Sequence, residues 1–116
     1  MKNHFVATSV LVATLWAPAA FAAEGGSCHF HGNKPAAEAT VTGCALQRKD
    51  ALVKGGKLDA SWQAVKQDRI ETVDGKKGKE WRVSFKNPAA ADKSKETLYM
   101  FFTPPGNFIA ANFTGQ

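Results

Sequence analysis

The sequence predicts an α+β protein: one N-terminal helix packed on a four-stranded antiparallel meander sheet, after a signal peptide that is cleaved. Three observations carry this. An apolar stripe of helical period runs between Ala36 and Lys54 and stops at Gly55-Gly56. Trp81, Val83 and Phe85 alternate with Arg82, Ser84 and Lys86. Two apolar runs, Leu98 to Thr103 and Phe108 to Phe113, flank Pro104-Pro105-Gly106-Asn107. A period near 3.6 marks a helix and a period of two a half-buried strand, so the order of periods along the chain gives the order of elements.

The leader comes first. Lys2 precedes an apolar run from Phe5 to Trp16, and small residues at Ala20 and Ala22 suit a signal peptidase, which places cleavage after Ala22. Pro18 interrupts the run before it reaches the roughly 20 apolar residues of a spanning helix. Cys28 follows the polar linker Glu24-Gly25-Gly26-Ser27 rather than the apolar core, which argues against lipidation. The chain therefore divides into a signal peptide over 1–22, an irregular Cys/His arm over 23–37 and a single α+β domain over 38–116. The expected location is the periplasm, with no stable membrane insertion after cleavage.

The helix follows the arm. Thr40 or Thr42 is available as its N-cap and Gly55-Gly56 as its stop. At 100 degrees per residue Val41, Cys44, Ala45 and Leu52 share a stripe. Arg48 and Lys49 also project near it, so either their aliphatic stems snorkel or the helix is shorter. Asp59 can cap a single turn through Trp62, after which Gln63 to Val73 reads as the first strand. Asp74-Gly75 marks the turn into the second strand around Trp81, Val83 and Phe85. The apolar runs on either side of Pro104-Pro105-Gly106-Asn107 form a second hairpin.

A helix covers one face of such a sheet and leaves the other open. Alternation puts Tyr99 and Phe101 on the open side, opposite Leu98, Met100 and Phe102. Either the signal-proximal segment or the Asn87 to Glu96 loop folds over them, or they form a surface for a homodimer or an envelope protein.

The chemically distinctive stretch is Cys28-His29-Phe30-His31-Gly32, which holds every histidine outside the leader, with Cys44 sixteen positions further on. In an extended segment His29 and His31 point to one side and Cys28 and Phe30 to the other. Imidazole and thiolate suit zinc, copper or cobalt, so Cys28, His29, His31 and Cys44 can supply a tetrahedral set if the helix start folds back. The alternative in an exported domain is a Cys28–Cys44 disulfide, closing a loop of about sixteen residues at roughly 3 kcal/mol. That leaves a site made of the two histidines alone, or no metal.

Composition narrows the classes. With 116 residues in the precursor, the mature chain holds one core and no separate catalytic domain. The formal net charge of +5 includes Lys2 of the leader. Lysines gather in Gly75-Lys76-Lys77-Gly78-Lys79, between two strands, where a solvated hairpin loop accounts for them and nucleic acid binding is not expected. A Cys28 nucleophile with His31 as base is conceivable, but neighbours in an extended segment rarely reach each other, and no phosphate-binding glycine loop is present, so the protein is not expected to be an enzyme.

Taken together, Cys28-His29-Phe30-His31-Gly32-Asn33-Lys34-Pro35, Gly56-Lys57-Leu58-Asp59-Ala60-Ser61-Trp62, Gly78-Lys79-Glu80-Trp81 and Gly106-Asn107-Phe108-Ile109-Ala110-Ala111-Asn112-Phe113 resemble a family of small uncharacterised bacterial periplasmic proteins over essentially the whole mature chain. The resemblance implies a domain of unknown function, loosely labelled as a component of cobalt, zinc and cadmium efflux. The order of helix then hairpins is also similar to periplasmic PepSY-like modules, which implies a small inhibitory or binding domain. The expected function is a periplasmic metal-binding or metal-handling accessory protein, non-catalytic, with His29 and His31 as first ligands. The alternative is a small envelope interaction or inhibitory module with a structural disulfide and no ligand.

Overall fold

The apolar stripe around Val41 needs a surface to bury against, and the alternating strands provide one. In the computed structural model, which describes residues 28–116, the elements run α1 (Glu38–Lys54), a 3-10 turn (Ala60–Trp62), β1 (Gln67–Gly75), β2 (Gly78–Lys86), a second 3-10 turn (Lys93–Lys95), β3 (Thr97–Phe102) and β4 (Phe108–Asn112). The expected leader over 1–22, with its cleavage after Ala22, lies outside the described residues. All strand pairs are antiparallel, in the order β1-β2-β3-β4. The fold is therefore α+β, a helix on a four-stranded meander. Among the described residues no helix is long and apolar enough to cross a membrane.

Register puts Val83 opposite both Ile70 and Met100, and Phe85 opposite Leu98. These residues and Phe102 meet Val41, Cys44, Ala45, Leu58 and Trp62 in one core, where Val83, Phe85 and Met100 are wholly buried. Burying each such side chain contributes roughly 1.5–3 kcal/mol. A one-residue slip of β2 would turn Arg82 and Ser84 inward instead, which pins the register.

The helix begins earlier than either expected cap. Its N-cap is Ala37, with no side-chain hydrogen bond, and Thr40 already donates its N–H to the Ala37 carbonyl. The reason is tertiary: the Ala36 N–H donates to the Pro104 carbonyl at 2.9 Å, fixing the chain just before the first turn. Glu38 in that turn complements the helix dipole. The other end follows expectation. Gly56 takes φ +78°, its N–H donates to Val53 and that of Lys57 to Leu52, the paired bonds of a Schellman stop.

Lys49 departs from both alternatives for the stripe. The helix is not shortened, and the side chain does not reach water, being 1% exposed. Its stem lies in the core, and Nζ donates to the carbonyls of Trp62 at 2.7 Å and Gln63 at 3.0 Å, with Asp50 at 3.4 Å. A buried ammonium thus holds the 3-10 turn against α1, with its charge met by two peptide oxygens and a carboxylate. Leu52 is only half-buried, and Arg48 lays its guanidinium 3.9 Å from the centroid of the Phe108 ring. Asp59 caps the 3-10 turn as expected, accepting from the Ser61 N–H.

The first strand starts at Gln67 rather than Gln63 and runs on through Gly75, which pairs with Gly78. The chain reverses at Lys76-Lys77, and the positive φ the turn requires falls on Gly78 rather than at Asp74-Gly75. The Asn87 to Glu96 loop does not cross the outer face of the sheet. Asn87 donates its N–H to the Glu96 carbonyl and its side-chain amide to Ser61 Oγ, tying the loop to the 3-10 turn on the helix side.

Candidate functional site

The arm ahead of α1 is held at three points, and the spacing of these points decides which side chains face out. Cys28 is joined to Cys44, on the buried stripe of α1, with Cα atoms 5.7 Å apart. Two residues on, the Phe30 N–H donates to Asn107 Oδ1 at 2.7 Å, and Asn107 Nδ2 donates back to the Phe30 carbonyl at 2.8 Å. One side-chain amide thus pairs with the backbone of Phe30 as a neighbouring strand would. The third point is Ala36 on Pro104, whose carbonyl also accepts from Trp81 Nε1 at 3.0 Å.

Asn107 is itself fixed by the β3–β4 turn. Its N–H donates to Thr103 Oγ1, and its carbonyl accepts from the Thr103 N–H at 2.8 Å. Gly106 has φ +111°, and a Cβ there would meet the Phe30 ring at 3.0 Å. Glycine is needed at this position for the backbone angle and for the close approach of the aromatic ring.

With Cys28 and Phe30 turned inward, His29 and His31 project to the other side, as alternation predicts. Both are exposed, and their rings meet edge to face with centroids 5.0 Å apart. The structure chooses between the two readings of the cysteines. Both sulfurs are in the disulfide and no free cysteine remains, so Cys28 and Cys44 present no thiolate and the tetrahedral Cys28, His29, His31, Cys44 set is not formed. Helix start and arm do fold together, but through a covalent bond. Among the described residues no group of three or more His, Cys, Asp or Glu side chains converges to hold a metal. The arrangement offers two imidazoles on a braced backbone.

On the outer face Phe101 is 6% exposed and Tyr99 is half-buried, so neither stands open as a bare patch. Arg82 lies over the Tyr99 ring, 5.5 Å from its centroid, and the backbone of Gly115 packs against the same ring. The Asn87 to Glu96 loop, one of the alternatives for covering this face, lies elsewhere, tied by Asn87 to Ser61. Arg82 also donates to Glu71 from Nη2 at 2.7 Å and from Nε at 3.0 Å. Its hydrogen bond and charge hold the Glu71 carboxyl below the usual glutamate range, and burial offsets part of that shift.

Asn107 as a brace and Lys49 as a tie emerge only in the folded structure. A lysine on an otherwise apolar stripe was a signal for the second. No local pattern signals the first, because Asn107 reads as a turn residue until its partner, far away in sequence, is brought beside it.

Residues 1–116 match the model of a family described as a family of unknown function, DUF6488. No curated protein and no solved structure matches the chain.

Proposed function

From the premise that the chain belongs to this family of unknown function, we propose that it is an exported, non-catalytic accessory protein that holds a transition-metal ion at His29 and His31. The observation that carries this reading is the pair of exposed imidazoles, 5.0 Å apart, on an arm braced by the Cys28–Cys44 bond and by Asn107. Side chains positioned by a rigid backbone lose less freedom on binding an ion than those of a loose tail. The donor set fits the chemistry: neutral imidazole suits zinc, copper and cobalt. Two protein ligands leave coordination positions for water or for a ligand from a partner protein, which suits hand-over better than storage.

The disulfide supports export, because such bonds persist in oxidising compartments. The two histidines face each other rather than a nucleophile, which supports a binding role over catalysis. Calorimetric titration of the purified protein with copper, zinc and cobalt tests the site. Wild type is expected to bind one ion per chain and the H29A/H31A variant to lose that binding while keeping its apo melting temperature. Unchanged affinity in the double variant, or no binding by wild type, refutes the ligand assignment.

A further inference from the structure

The β1–β2 and β3–β4 turns lie at the same end of the sheet, and between them the outer face sinks into a groove of about 820 Å³. Its apolar lining comes from Val73, Pro104, Ile109, Ala110 and the small exposed part of Phe101. Ile109 is the one exposed large hydrophobic side chain among the described residues, at 43%. The irregularity in the β3–β4 register puts it there: Phe101 pairs with Ala110 and Phe102 with Phe108, leaving Ile109 as the extra residue of a bulge.

The rim is cationic. Lys76, Lys77 and Lys79 come from the hairpin tip and Arg82 from β2. Lys79 is paired with Asp74 at 2.6 Å and Arg82 with Glu71 at 2.7 Å. Lys76 and Lys77 form no ion pair among the described residues, and Glu80 also lines the groove. Gly115 and Gln116 line the groove as well, and Arg82 Nη1 donates to the Gly115 carbonyl at 3.4 Å. The volume falls in the range of small-molecule sites, about 300–1,000 Å³. A recess is also poorly shaped for a flat bilayer. A bare anion would satisfy the lysines and leave Ile109 in water.

We propose that this groove binds a long-chain fatty-acid carboxylate, with the acyl chain along Ile109 and Ala110 and the carboxylate between Lys76 and Lys77. Apolar lining and cationic rim each match one half of such a ligand. The site shares no residue with the histidine pair and stands independently of it.

Fluorescence titration of the purified protein with cis-parinarate, a polyene fatty acid, tests the proposal. Saturable one-to-one binding is expected, and the methyl ester, lacking the charge, binds about tenfold more weakly. The K76E/K77E variant and the I109D variant each weaken parinarate binding by about tenfold. All three substituted residues are exposed, so the fold is expected to persist, which circular dichroism checks. No saturable binding by wild type, or full affinity retained in both variants, overturns the proposal. Binding to phosphatidylglycerol vesicles without binding to parinarate also overturns it and assigns the surface to a membrane. The H29A/H31A variant keeps its parinarate affinity, so failure at one site leaves the other intact.

Discussion

Replacing Cys28 and Cys44 together with alanine opens the only covalent loop in the chain, between positions sixteen apart. Closing a loop of that length removes chain entropy from the unfolded state worth roughly 3 kcal/mol. Cys44 is 5% exposed, so its alanine leaves a small gap in the core and adds about 1 kcal/mol. The bonds from Asn107 to Phe30 and from Ala36 to Pro104 remain, so the folded arm persists and the loss falls chiefly through the unfolded state. Urea unfolding of the oxidised wild type and the double variant measures the difference. With a slope of roughly 1.5 kcal/mol per M, a loss of about 4 kcal/mol lowers the midpoint by roughly 2.7 M. A shift below about 0.5 M would refute the reasoning, because the crosslink would then be restraining an arm already restrained in the unfolded chain.

Lys49→Met keeps the stem and removes the ammonium, leaving the carbonyls of Trp62 and Gln63 without their buried donor. A loss of about 1–3 kcal/mol is expected in thermal or urea unfolding, and a neutral result would show that water replaces the ammonium there. Asn107→Ala removes both bonds to Phe30 and should cost about 1–2 kcal/mol while raising amide hydrogen exchange at Phe30 far more than in β2. On acidification, Glu71, Asp59 and Asp92 act in the same direction. Hydrogen bonds from Arg82, Ser61 and Ser94 respectively hold their carboxyls below the usual range. A depressed carboxyl pKa stabilises the fold above the unfolded value and ceases to do so as pH falls through the folded one. Stability is therefore expected to hold above pH 4.5, the ordinary glutamate value, and to fall below it. Glu71→Gln should be less stable at neutral pH and lose less on acidification, and an unchanged acid slope in urea midpoints would remove Glu71 from this account.

Periodicity settled the strands for a physical reason. Trp81, Val83 and Phe85 can be buried together only in an extended segment with one face covered, and the structure has them so. The Gly55-Gly56 stop and the Asp59 cap were equally legible, since each depends on bonds spanning a few residues. Alternation likewise turned His29 and His31 outward together once Cys28 and Phe30 had partners inside. The partners themselves were not readable. Cysteine count and spacing left disulfide and thiolate ligation both open until the fold brought the two Cα atoms to 5.7 Å. The helix start was fixed by Pro104, some seventy positions away, and not by a local cap. Lys49 became a buried tie only because packing placed two carbonyls within its reach. The chain by itself determined what depends on neighbours along it, namely element type, turn chemistry and side-chain alternation. Tertiary structure alone decided what depends on distant backbone groups meeting: which cysteine state is formed, what braces the histidine arm, and how a bulge at Ile109 opens a lysine-rimmed groove on the outer face.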